Sequence, residues 1–91
     1  MMVRTDDVQQ IARDAIAERL HHEAPDAIIS VEYDLSEAGR DFQAVILHVN
    51  SGGNAIACDK ALAYAGYDVE GTDYDPYAPG NYGVQRRVRR P

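Results

Sequence analysis

Three histidines, a single cysteine and a pair of adjacent glycines are the groups of this chain with the reactivity or placement for catalysis or ligand binding. His21, His22, Glu23 and Asp26, joined by His48, supply the imidazole and carboxylate groups that bind metal ions or relay protons. Adjacent residues on a helix point about 100° apart, so His21 and His22 cannot both face one ion in a regular helix. Their place near a helix C-terminus has a simpler reason, the negative end of the dipole. Cys58 has no base set beside it by any motif and reads as a small buried hydrophobe rather than a nucleophile. The sequence therefore predicts no catalytic residue, no metal site and no cofactor.

Gly52-Gly53 precedes a helical stretch, where free backbone N–H groups and the positive end of the dipole could meet a phosphate or carboxylate. Gly52, Gly53 and Asn54 are thus a candidate anion site. The spacing fits neither G-x-G-x-x-G nor G-x-x-x-x-G-K-[ST], and a tight strand-to-helix connection capped by Ser51 or Asn54 explains it as well. Further on, Gly80-Asn81-Tyr82-Gly83 spells G-x-x-G beside Arg86 and Arg87, the element with which KH domains clamp a nucleic-acid backbone. In those domains the loop joins two helices, whereas here it leads out of an aperiodic loop.

Tyrosine and arginine are the residue types most enriched at binding hot spots, because each joins a large apolar surface to a directional polar end. Five of the six tyrosines fall between Tyr64 and Tyr82. Tyr74, Tyr77 and Tyr82 lie in a stretch without period, and Arg86, Arg87, Arg89 and Arg90 follow almost at once. These seven residues are the candidate partner-binding set.

The elements that must position these groups follow from hydrophobic period. Residues 5–22 carry Val8, Ile11, Ala12, Ala15, Ile16, Arg19 and Leu20 on one helical stripe, with Thr5 suited to the N-cap and Pro25 closing the segment. Residues 27–35 alternate as a half-buried strand, and residues 41–50, apolar on both faces, predict a central strand joined to it by an antiparallel hairpin. An alanine-rich helix over 55–65 ends at Gly66, placed as a left-handed C′ residue, before a short strand over 67–70. Residues 41–71 thereby form a strand-helix-strand unit with parallel strands and a right-handed crossover. Residues 84–90 fit either a final edge strand or an arm that orders on binding.

Charge is divided unevenly. All fifteen acidic residues lie between Asp6 and Asp75, so residues 1–85, with five basic groups, carry −10, and the last six residues carry +4. Blocks of opposite sign steer encounters and seat partners. The acidic body opposes nonspecific nucleic-acid binding, leaving only the C-terminal arginines for phosphates. Eight arginines stand against one lysine and ten aspartates against five glutamates, a bias that fits a GC-rich genome or a salt-loving source. One cysteine allows no internal disulfide, and no apolar run reaches the ~18 residues that a membrane span requires, so a cytoplasmic, or if viral a virion, location is expected.

The expected fold is α+β, a two-layer sandwich in the order α-β-β-α-β with a final edge strand, its small mixed sheet packed by two helices. Residues 1–71 form the core, and residues 72–91 a Tyr/Pro/Gly-rich loop and an Arg-rich docking arm. Ninety-one residues, thirteen of them alanine, bury few large apolar groups, which favours self-association. The expected function is non-enzymatic protein interaction by a small subunit or adaptor of a larger assembly, a ring-forming or virion component among the settings that fit. The alternatives are a KH-like nucleic-acid-binding regulator using Arg86 to Arg90, and a small anion binder or enzyme at Gly52-Gly53.

Overall fold

The computed structural model describes residues 2–35, 43–71 and 83–90. Their order is α1 (Thr5–Leu20), a 3-10 turn (Pro25–Ala27), β1 (Ile28–Tyr33), β2 (Ala44–Val49), α2 (Gly52–Tyr64), β3 (Asp68–Gly71) and β4 (Val84–Arg89). The four strands make one sheet in the order β1-β2-β4-β3. Two helices on one face of this sheet give the expected α+β sandwich, and β2 is an inner strand hairpinned to β1 as its apolar faces require.

Every pairing is antiparallel, so the sheet is not mixed. The reason lies in β4. It runs antiparallel to both β2 and β3, which therefore point the same way, as the strand-helix-strand reading expected, but they do not touch. β4 is inserted between them. Residues 84–89 are thus an inner strand rather than an edge or an arm, and Val88, wholly buried, belongs to the same core as Val45, Leu47 and Val49. The division into a 1–71 core and a separate C-terminal arm does not describe this packing.

Alternation along the paired strands sorts the side chains by face. Val45, Leu47 and Val49 of β2 share the helical face with their partners Val88, Arg86 and Val84 of β4. Val8, Ala12 and Ile16 of α1 and Ala55, Cys58 and Leu62 of α2 close the core above them. The other face carries Ser30 and Glu32, then Ala44, Ile46 and His48, then Gln85, Arg87 and Arg89, with Asp68 and Glu70 on β3. A register shift between Ile28 and Ser30 interrupts the pairing of β1, a device that makes an edge strand a poorer template for further pairing.

Helix ends differ from the sequence expectation in instructive ways. Arg4, not Thr5, is the N-cap of α1 and gives no side-chain bond; the ladder begins with the Val8 N–H donating to the Arg4 carbonyl at 3.3 Å. Val3, fully buried just before it, anchors the chain there, and Asp6 and Asp7 in the first turn oppose the dipole. The helix stops at Leu20 because His21 turns left-handed (φ 59°), four residues before Pro25. The helix α2 starts earlier than expected: Ser51 caps it, its Oγ accepting from the Asn54 N–H at 3.3 Å, so both glycines lie within the first turn. Gly66 takes the expected left-handed C′ place (φ 95°), with Gly66 N–H donating to Ala63 and Tyr67 N–H to Leu62, each at 3.0 Å.

Candidate functional site

The arginines of the C-terminal strand are held by carboxylates of this chain. On the helical face, the Arg86 Nε donates to both carboxylate oxygens of Asp59 in α2 at 3.0 Å, tying strand to helix. On the opposite face, the Arg87 Nε donates to Asp34 Oδ2 at 2.6 Å and its Nη1 to Glu70 Oε1 at 3.1 Å. Arg89 reaches the same Glu70 oxygen at 3.3 Å. Asp34 is only 5% exposed, and its charge depends on such partners. Both carboxylates in turn hold the Arg87 guanidinium above its usual pKa, Glu70 contributing most and Asp34 next. Arg90, the last described residue, lies over the Tyr67 ring at 5.6 Å from its centroid.

Of the proposed partner-binding residues, the structure therefore gives Arg86, Arg87 and Arg89 intrachain roles and places them on both faces of one strand. Tyr74, Tyr77 and Tyr82 lie outside the described residues. Gly83, the second glycine of G-x-x-G, has a role of its own: its φ is 127°, and a Cβ there would collide with the Val49 carbonyl oxygen. That close approach brings the start of β4 against the end of β2.

At the N-terminus of α2 two of the three anion-site candidates, Gly53 and Asn54, are engaged internally, while Gly52 is exposed. Asn54 is buried; its Nδ2 donates to Asn50 Oδ1 at 2.9 Å, and its Oδ1 accepts from Arg19 Nη1 at 2.8 Å. A Cβ on Gly53 would lie 2.5 Å from Arg19 Nη2, so Gly53 lets the guanidinium settle on the helix end. Sequence had suggested this turn as a tight connection with Asn54 or Ser51 as cap; the connection is present and Ser51 is the cap.

The histidines are not gathered. His21 and His22 follow α1, exposed, with His22 Nδ1 2.9 Å from the Glu23 carbonyl, whereas His48 lies on the helix-free face of β2. His48 is 6% exposed, and its Nε2 is buried with no hydrogen-bond partner. Among the described residues no three His, Cys, Asp or Glu side chains are placed to hold a metal ion. Cys58 is wholly buried between the helices, its Sγ 3.7 Å from the Ala12 carbonyl. Burial first, and the Asp59 charge second, push its thiol up to about 11, Arg86 pulling weakly the other way. A thiol so placed is protonated at neutral pH and a poor nucleophile.

The outer surface of the helical layer carries a feature that sequence period did not announce. Between α1 and α2 runs an open groove of about 640 Å³ floored by Ala15, Ala57 and Ala61 and flanked by Glu18, Lys60 and Tyr64. Tyr64 is 96% exposed, and Ile56, on the flank of α2 one turn before Lys60, is 54% exposed. In α1 the amphipathic stripe located the buried side, Val8, Ala12, Ala15 and Ile16. What it could not show is that the two solvent sides meet as a groove, since that depends on how the helices cross.

No helix among the described residues is long and apolar enough to cross a membrane. No protein-family model, curated protein or solved structure matches this chain.

Proposed function

We propose that this chain is a non-enzymatic protein-interaction module, a small structural subunit or adaptor of a larger assembly. The observation that carries this reading is the solvent side of the helical layer, where Tyr64 and Ile56 stand in water beside an alanine-floored groove. Scattered apolar residues on a surface mean little, but a large aromatic group beside a recess combines the anchor and the pocket that interface hot spots require. Ile16, Leu47 and Leu62, by contrast, are fully packed, while Leu35, just beyond Asp34, is exposed. Tyr74, Tyr77 and Tyr82 remain part of the proposed contact set on their residue type, whereas Arg86, Arg87 and Arg89 serve the fold.

Nucleic-acid binding by Arg86 to Arg90 draws less support, because three of the four arginines already face carboxylates within the chain. Two measurements test the proposal together. A photoreactive benzophenone side chain in place of Tyr64 should crosslink to protein in the source cells. Titration of random duplex and single-stranded DNA or RNA at ~50 mM salt should show no appreciable binding. Binding that falls steeply with log salt, without a protein crosslink, would replace this reading with the nucleic-acid one.

A further inference from the structure

Glu18 and Lys60 stand on opposite helices of the same groove, of opposite sign, and neither makes an ion pair or hydrogen bond among the described residues. Arg19, the other cation lining the groove, donates to the neutral amide of Asn54 and keeps its charge. We infer that the α1/α2 groove is occupied by the same groove of a second copy of this chain, related by a twofold axis. This deepens the interaction reading above and rests on it.

The geometry has three parts. First, a twofold axis running along the groove lays α1 of each copy over α2 of the other. Glu18 of one copy then meets Lys60 of its partner, and the contact occurs twice, as an isologous interface requires. Secondly, Ala15, Ala57 and Ala61 leave the groove floor without bulk, so the facing helices can approach closely and Tyr64 can lie in the partner's recess. Thirdly, charge favours this face over the sheet edges. The chain carries −6, so two copies repel unless the contact brings opposite signs together. Edge strand β1 presents Glu32, and edge strand β3 presents Asp68, with Glu70 beside it already bound to Arg87 and Arg89, so pairing either edge with itself sets the Glu32 or Asp68 carboxylates close to one another. Among these surfaces, the groove supplies both signs unpaired.

Lys60 is the only lysine of the chain, which makes a charge-exchange series clean. Sedimentation equilibrium of the full chain should give a dimer for the wild type. Glu18→Lys alone and Lys60→Glu alone each place like charges across both contacts and should weaken the dimer about tenfold or more. The double variant Glu18→Lys/Lys60→Glu should regain it. Mixing the two single variants should also restore association, as a heterodimer, because each then supplies what the other lacks. Both positions are solvent-facing, and circular dichroism should show that each variant is folded. A wild type that stays monomeric at ~100 µM, or a dimer indifferent to the exchanges, overturns the inference. A monomer that still crosslinks through position 64 to a different protein overturns the second-copy assignment alone, and a monomer with no crosslink overturns the interaction reading as well.

Discussion

Arg87 of the inner strand β4 holds Asp34, just beyond β1, at 2.6 Å with Nε and Glu70 of β3 at 3.1 Å with Nη1. One side chain on the helix-free face thereby links the end of one outer strand to the other outer strand across the two inner strands between them. Asp34 is buried and Arg87 half-buried, so the two sides of this pair are not equivalent. Arg87→Gln leaves a buried carboxylate without its guanidinium and should cost about 2–3 kcal/mol, below the value for a fully buried pair because Arg87 keeps some contact with water. Asp34→Asn leaves Arg87 bound to Glu70 and should cost only about 1 kcal/mol. Urea unfolding of both variants checks the order; equal losses would mean that Arg87 depends on Asp34 as much as Asp34 depends on Arg87.

Gly83 should resist substitution more than any other glycine described. Its left-handed φ of 127° and the Val49 carbonyl beside it act together, whereas Gly66, also left-handed, has open space around it. Gly83→Ala is expected to cost roughly 3 kcal/mol, and Gly66→Ala about 1 kcal/mol. Thermal melts of the two variants compare them directly. A mild effect at Gly83 would show that β2 and β4 can part at that end without loss.

Because β4 fills the gap between β2 and β3, a chain ending at Gly83 should not fold. Removing Val88 from the core, the Arg86 contact with α2 and two strand ladders exceeds what a domain of this size can lose. Circular dichroism should show a disordered truncated chain. A cooperative melt of that fragment would make β4 an accessory strand.

How much of this was legible beforehand depends on the range of the interaction involved. The stripe Val8, Ala12, Ile16, the alternation of β1 and the Gly66 cap are local patterns, and each marked its element within a few residues. The position of β4 was not legible: Val84, Arg86 and Val88 alternate with polar residues as an edge strand would, and only the Asp59, Asp34 and Glu70 partners, distant in sequence, allow arginines on an inner strand. The same holds for the site. The excess of arginine at the C-terminus was visible, but its neutralisation by those carboxylates was not, and Glu18 and Lys60 looked like ordinary solvent-facing charges until α1 and α2 were set side by side.

Cys58 gives a pH dependence with a definite sign. Its folded pKa of about 11 stands above the ordinary 9.0, because burial and Asp59 disfavour the thiolate. Above pH 9 the unfolded chain therefore releases this proton before the folded one, and stability should fall as pH rises from about 9 to about 11 through this group. At pH 8 the native thiol should react with a disulfide reagent far more slowly than the unfolded thiol. Rapid native labelling would mean that the helices part readily at Ala12 and Cys58.

The helical face as a contact surface is tested most directly by the molar mass of the wild type and of Ala61→Glu, measured by light scattering at ~100 µM in ~0.15 M KCl. Ala61 floors the groove without belonging to the buried core, so the substitution should leave the fold intact while placing a charge and bulk where the partner must lie. The expected result is a wild-type mass of twice the 10.1 kDa chain and a folded, monomeric variant. A wild type at the mass of one chain, or a variant that keeps the wild-type mass, would contradict it.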